Sequence, residues 1–177
     1  MNITGLTISE VNMGYKVRNC EDLGQNLKLI VMRLLGNQDL LKLLYYSDKD
    51  PLSHPNLSAL QIKEEVNEKL VKIIPYIGTK EDARSIISLR VVRGINNAVN
   101  NEFKDVTFAI EVFVPITQWL LKGDNLRPFA IMGQIEKSIV GKTINGLGKI
   151  RGGNFELNFL TEEMSSYEQT FQITSYD

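Results

Sequence analysis

His54 is the only histidine in the chain, and it lies in Asp48-Lys49-Asp50-Pro51-Leu52-Ser53-His54-Pro55, close in sequence to two carboxylates. One imidazole excludes a His–His metal pair. A calcium loop counted from Asp48 needs an oxygen ligand at position five, glycine at six and glutamate at twelve. Those positions hold Leu52, Ser53 and Ala59, so the segment reads as a surface loop punctuated by prolines. Gly141-Lys142-Thr143 matches the end of a phosphate-binding loop, but Glu136 stands where the first glycine belongs. The pattern also places a helix, not a strand, ahead of it. No nucleotide cradle is expected there.

Gly146, Gly148, Gly152 and Gly153 surround Lys149 and Arg151. Two readings stay open: a turn and bulge opening a strand, or a basic flexible loop that meets a partner or DNA phosphates. Lys142 belongs to the same basic loop. Glu64, Glu65, Glu81, Asp82, Glu162 and Glu163 fall on helix faces and turns, without the spacing of an acid–base dyad, and no G-x-S-x-G elbow occurs. Trp119 follows the clearest strand, as a rim aromatic of the sheet or an anchor for a subunit contact. No enzyme activity, cofactor or metal is expected.

Several elements must position these residues. Leu23, Leu27, Ile30, Val31, Leu34 and Leu35 share one helix face, with Asn19 as N-cap and Gly36-Asn37 as the stop. A short helix carries Leu40, Leu41 and Leu44. A third begins at the capping box of Ser58 and Gln61, lines up Ala59, Ile62, Val66, Leu70 and Ile73, and ends at Pro75. The period then changes to two. Residues 85–93 are β-branched, and residues 105–115 alternate, with Val106, Phe108, Ile110, Val112 and Val114 on one side and Thr107 and Glu111 on the other. Between them runs a loop, residues 94–104, too long for a tight hairpin turn, with Asn96, Asn97, Asn100 and Asn101 as candidates to meet a partner. Pro128 starts a helix bearing Ile131, Ile135 and Ile139. A glycine loop over 141–153 and two strands, around Phe155, Leu157, Phe159 and then Tyr167, Phe171, Ile173, complete the chain.

The expected fold class is α+β: N-terminal helices, then an antiparallel or mixed sheet of about four strands packed against a helix. One domain is expected over residues 1–177, with 1–18 as an extended arm. The chain carries 20 Lys+Arg against 21 Asp+Glu, so no overall basic field holds it on nucleic acid. A single cysteine, Cys20, rules out an intrachain disulfide and reads as a small packing residue. No apolar run approaches the ~20 residues that cross a bilayer, and the N-terminus lacks a signal-peptide pattern. A soluble protein assembled in the cytoplasm is expected, with no membrane partner.

From Val106 to Ile173 the order is strand, turn, Pro-started helix, glycine loop and two closing strands joined by a short turn containing Glu162 and Glu163. This order resembles the tail terminator and related neck proteins of tailed bacteriophages. The resemblance implies a homo-oligomeric ring, commonly a hexamer, at the head-proximal end of the tail tube. Such a ring stops tube growth, contacts the tail tube protein and head connector proteins, and lets DNA pass through its lumen without specific binding. It implies a virion protein with no catalytic residue. Strand edges, with residues 85–93 and 167–175 as candidates, would pair neighbouring subunits. The alternatives are another head–tail connector, of head-completion or adaptor type, or a non-viral module binding a small ligand or nucleic acid through Lys142, Lys149 and Arg151.

Overall fold

The computed structural model describes residues 20–74, 84–99, 104–144 and 148–174. Helix α1 (Glu21–Leu35) buries Asn26, Ile30, Val31 and Leu34 at helical spacing, with Glu21 and Asp22 in its first turn. Its N-cap is Cys20, which makes no side-chain cap and is exposed, so Cys20 is not a packing residue, and Asn19 lies outside the described residues. Asn37 then caps α2 (Gln38–Tyr45), its Oδ1 accepting from the amides of Asp39 and Leu40. Leu40, Leu41, Leu43 and Leu44 are all buried, since this short helix is covered on several sides.

The capping box of Ser58 and Gln61 starts α3 (Ala59–Gln61), which continues as a π-helical stretch, Ile62–Leu70. Only Val66 and Leu70 of the expected stripe are buried. Ala59 and Ile73 face solvent, and the helix ends at Leu70, ahead of Pro75, which lies outside the described residues. The chain passes straight from Leu70 into a strand, β1 (Val71–Lys72), so the break is made by pairing with the sheet.

Five further elements follow expectation in type: β2 (Ile86–Asn96), β3 (Lys104–Pro115), α4 (Arg127–Ile139) and, after a two-residue strand β4 (Thr143–Ile144), the hairpin strands β5 (Gly148–Leu160) and β6 (Met164–Thr174). The described strands form one mixed six-stranded sheet in the order β1-β2-β3-β6-β5-β4, with β1 parallel to β2 and the other pairs antiparallel. The fold class is α+β, with six described strands where about four were expected. The extra two are short margins that carry no alternation to read. The asparagine loop is shorter than 94–104 because β2 runs on to Asn96, and the glycine loop is shorter than 141–153 because β4 and β5 occupy much of it.

One face of the sheet carries the helices. Phe108, Ile110, Val112 and Val114 of β3 are fully buried there, beside Phe171 and Ile173 of β6 and Ile131, Ile135 and Ile139 of α4. Gln169 of β6 donates to Glu136 of α4 at 2.6 Å, which fixes the helix over β3 and β6. On the opposite face, Ala109, Glu111 and Phe113 are also buried, so β3 is covered on both sides and Glu111 does not point to solvent. Strand β6 lies between β3 and β5, which removes 167–175 as an edge.

Candidate protein-docking site

The helical layer is narrower than the sheet. Helix α4 covers β3 and β6, and beyond it β5 presents residues of the same face to solvent. Phe155 lies opposite Gln169 and Leu157 opposite Tyr167, so both point to the helix-bearing side. They are 57% and 48% exposed, and Leu160 is 60% exposed. Phe129, in the first turn of α4, is 40% exposed and joins them edge-on to Phe155, ring centroids 6.3 Å apart. Tyr167 lies 5.2 Å from Phe129 and 6.2 Å from Trp119. Four rings thus run from the turn after β3 to the margin of the sheet.

Trp119 is half-buried, and its indole N–H donates to Ser165 Oγ at 2.7 Å. It therefore forms the inner, anchored end of the strip, while Phe129 and Phe155 form the outer end. An apolar strip of this kind removes water when a protein surface covers it, at about 25 cal/mol per Å² buried.

Arg127 fixes where the strip begins. Its guanidinium is fully buried and donates to the carbonyls of Gln118 (2.9 Å), Leu43 (2.8 Å), Tyr46 (2.6 Å) and Asp48. Burial pushes its pKa down, and the nearby Asp48 charge opposes that shift. These bonds join the end of α2 and the turn after β3 to the start of α4, two residues before Phe129. His54 belongs to the same loop: its Nε2 is 2.8 Å from Asp48 Oδ2, and its ring stacks on Tyr46 at 4.1 Å.

The opposite face holds a polar cluster that spacing along the chain did not reveal. Glu111 and Glu168 lie directly across the β3–β6 ladder, and the Arg90 guanidinium donates to both, at 2.6 Å to Glu111. Ser166 Oγ and Asn158 Nδ2 donate to the other Glu111 oxygen at 2.6 and 2.8 Å. Both Glu111 oxygens are thus occupied, which suits a structural tie between β2, β3, β5 and β6. Only the strand register brings these residues together.

The remaining predicted residues sit at one end of the sheet. Asn96 closes β2 and accepts from Lys104, while Asn97 is buried and donates to Asp105 at 2.9 Å. Asn100 and Asn101 lie outside the described residues. Lys142 is exposed in the turn after α4. Lys149 and Arg151 are exposed on the face of β5 away from the helices. Arg93, Thr107, Gln172 and Arg151 form one cross-strand row, which sets the two arginines about 14 Å apart at strand spacing. Gly152 and Gly153 mark a bulge, where a Cβ on Gly153 would lie 2.8 Å from the Thr170 carbonyl oxygen. The bulge reading holds, and the glycines sit inside a paired strand.

Among the described residues no group of three or more His, Cys, Asp or Glu is placed to hold a metal ion, and no helix is long and apolar enough to cross a membrane. A family model, YomW, matches residues 37–173, from the cap of α2 to the penultimate residue of β6. The chain belongs to the YomW family. YomW is a phage-derived family. The span matched to YomW holds the whole aromatic strip, Arg127 and, save for Thr174, all six described strands, and leaves out α1. No curated protein matches the sequence significantly.

Proposed function

We propose that this YomW chain is a structural virion protein, a tail terminator that forms a ring at the head-proximal end of the tail tube, stops tube growth and joins the neck. The observation that carries the reading is the solvent-facing strip of Phe129, Phe155, Leu157 and Leu160 in a phage-derived chain. Contiguous exposed apolar surface marks places where proteins dock, and a phage assembly subunit has neighbours to cover it. The balanced charge, net −1, suits a conduit that DNA crosses without being held, because phosphate contacts set DNA affinity.

The test is deletion of the gene from a phage that carries it, followed by electron microscopy of the lysate. The reading expects tubes of uncontrolled length, unattached to heads. Tubes of normal length left unattached assign the chain to head completion or an adaptor instead, and normal virions refute both. The row of Arg93 and Arg151 with Lys149 beside it favours a second reading, a nucleic-acid binding module. That module requires a monomer whose affinity for oligonucleotides falls steeply with salt.

A further inference from the structure

Both margins of the sheet are left largely unpaired. Strand β1 covers only Ile87 and Ser88 of β2, and β4 with the turn before it covers β5 only as far as Ile150. Among the described residues, no strand pairs with the outer side of β2 from Leu89 to Asn96, or with the outer side of β5 from Arg151 to Leu160. Each open margin exposes a row of backbone donors and acceptors, which is a template for an added strand.

We propose that these two margins join copies of this chain: the outer side of β5 in one protomer takes β2 of the next, antiparallel, so that the sheet continues from subunit to subunit. The proposal rests on the reading of the chain as an assembly subunit and names the partner of its exposed rim as a second copy.

Three observations select this partner and orientation. The first is the placement of the short strands. In antiparallel pairing, β4 lies beyond the end of the neighbour's β2, and the neighbour's β1 lies beyond the end of β5. In parallel pairing, both would crowd into the same place.

The second is charge. When Leu89 is set opposite Leu160, Arg93 falls opposite Glu156. Arg93 pairs with Thr107 and Glu156 with Glu168, which puts both on the face away from the helices. Both are exposed, and neither has an ion-pair partner among the described residues.

The third is shape. The same register sets Phe155 opposite Gly94, both on the helix-bearing face. Gly94 has open space where a side chain would be, and an aromatic ring laid over a glycine on a facing strand is a recurrent way to cover it. The exposed bulge residue Val92, 52% exposed, falls opposite Leu157. Strand, charge and apolar pairing agree in one register. A contact between two different margins repeats from copy to copy and closes into a ring when the rotation allows.

The test uses the full chain with Cys20→Ser, since that exposed thiol is its only cysteine. Arg93→Cys and Glu156→Cys proteins are mixed and oxidised, because directly opposed residues of an antiparallel pair come within disulfide reach. The proposal expects a linked pair in the mixture and in neither protein alone. By light scattering, it expects a multi-protomer particle that falls to monomer mass in Glu156→Arg and is restored in the Arg93→Glu/Glu156→Arg double variant. Thermal melts report whether each variant folds, and the mixed-cysteine result stands even where a charge variant does not.

Linkage of Glu156→Cys to itself identifies a two-fold β5–β5 contact and overturns the proposal. Assembly that survives in Glu156→Arg without linkage moves the contact to another surface and overturns it as well, while the assembly reading stands. A wild-type protein that is monomeric and unlinked at every concentration also overturns it; failure of that monomer to bind tail tubes then sinks the assembly reading separately.

Discussion

Replacing Arg127 tests whether one buried guanidinium holds the frame of the docking strip. Its side chain is fully buried, and four carbonyls, from Leu43, Tyr46, Asp48 and Gln118, accept its hydrogen bonds. Arg127→Ala strands those acceptors and opens a cavity. At about 1 kcal/mol net for each bond, the loss is about 4 kcal/mol. For a chain of this length, 1 kcal/mol moves the melting temperature by about 2–4 °C, so a drop of about 8–16 °C is expected by calorimetry or circular dichroism. Arg127→Lys keeps the charge but cannot span carbonyls on both sides, since an ammonium on a flexible stem lacks the planar fork. It should recover no more than about half of the loss, about 2 kcal/mol. An Arg127→Ala protein that melts within about 1 °C of wild type would refute the reasoning.

Phe155→Ser with Leu157→Ser changes only exposed side chains, so folding stability should shift by less than about 0.5 kcal/mol in a urea titration, while association with copies or tail tubes is lost in sedimentation. Asn26 is 2% exposed and its side-chain amide has no partner among the described residues, so Asn26→Leu should raise stability by about 1–3 kcal/mol in the same titration. Gly153→Ala forces a methyl to 2.8 Å from the Thr170 carbonyl oxygen, and a loss of about 1–3 kcal/mol is expected in thermal melts. Partial burial raises the Asp48 pKa, but the Asp50 amide and His54 outweigh it and hold the carboxyl below its usual value. A depressed carboxylate stabilises above its unfolded pKa of about 3.9 and loses that contribution as pH falls through the folded value. Asp48→Asn should therefore be less stable than wild type at pH 6, with the gap closing as pH falls below about 3.9 in urea titrations.

What could be read from the chain was local. The spacing of Ile30, Val31 and Leu34 gave α1, and Ser58 with Gln61 gave the start of α3, because caps and helical stripes are set within a turn or two. The alternation of residues 105–115 gave β3, but not that Glu111 on its other side is buried. That burial comes from Arg90, Asn158 and Ser166, which reach it from other strands. The order of strands was hidden for the same reason. Tyr167, Phe171 and Ile173 look as suited to an edge as Phe155 and Leu157 do, and only long-range pairing puts β6 inside and β5 outside. Trp119 could be picked out as an aromatic at a strand end, whereas Phe129 and Phe155, 26 residues apart in sequence, became one surface through the path of α4 across the sheet. The π-helical winding of Ile62–Leu70 left no trace in composition.

The most direct measurement is a density map of the phage particle that traces this chain. The account predicts a ring of copies between the tail tube and the head, with Phe155 and Leu157 covered by a neighbouring protein. Finding the chain in the capsid shell, or finding those two side chains facing solvent in the assembled particle, would contradict it.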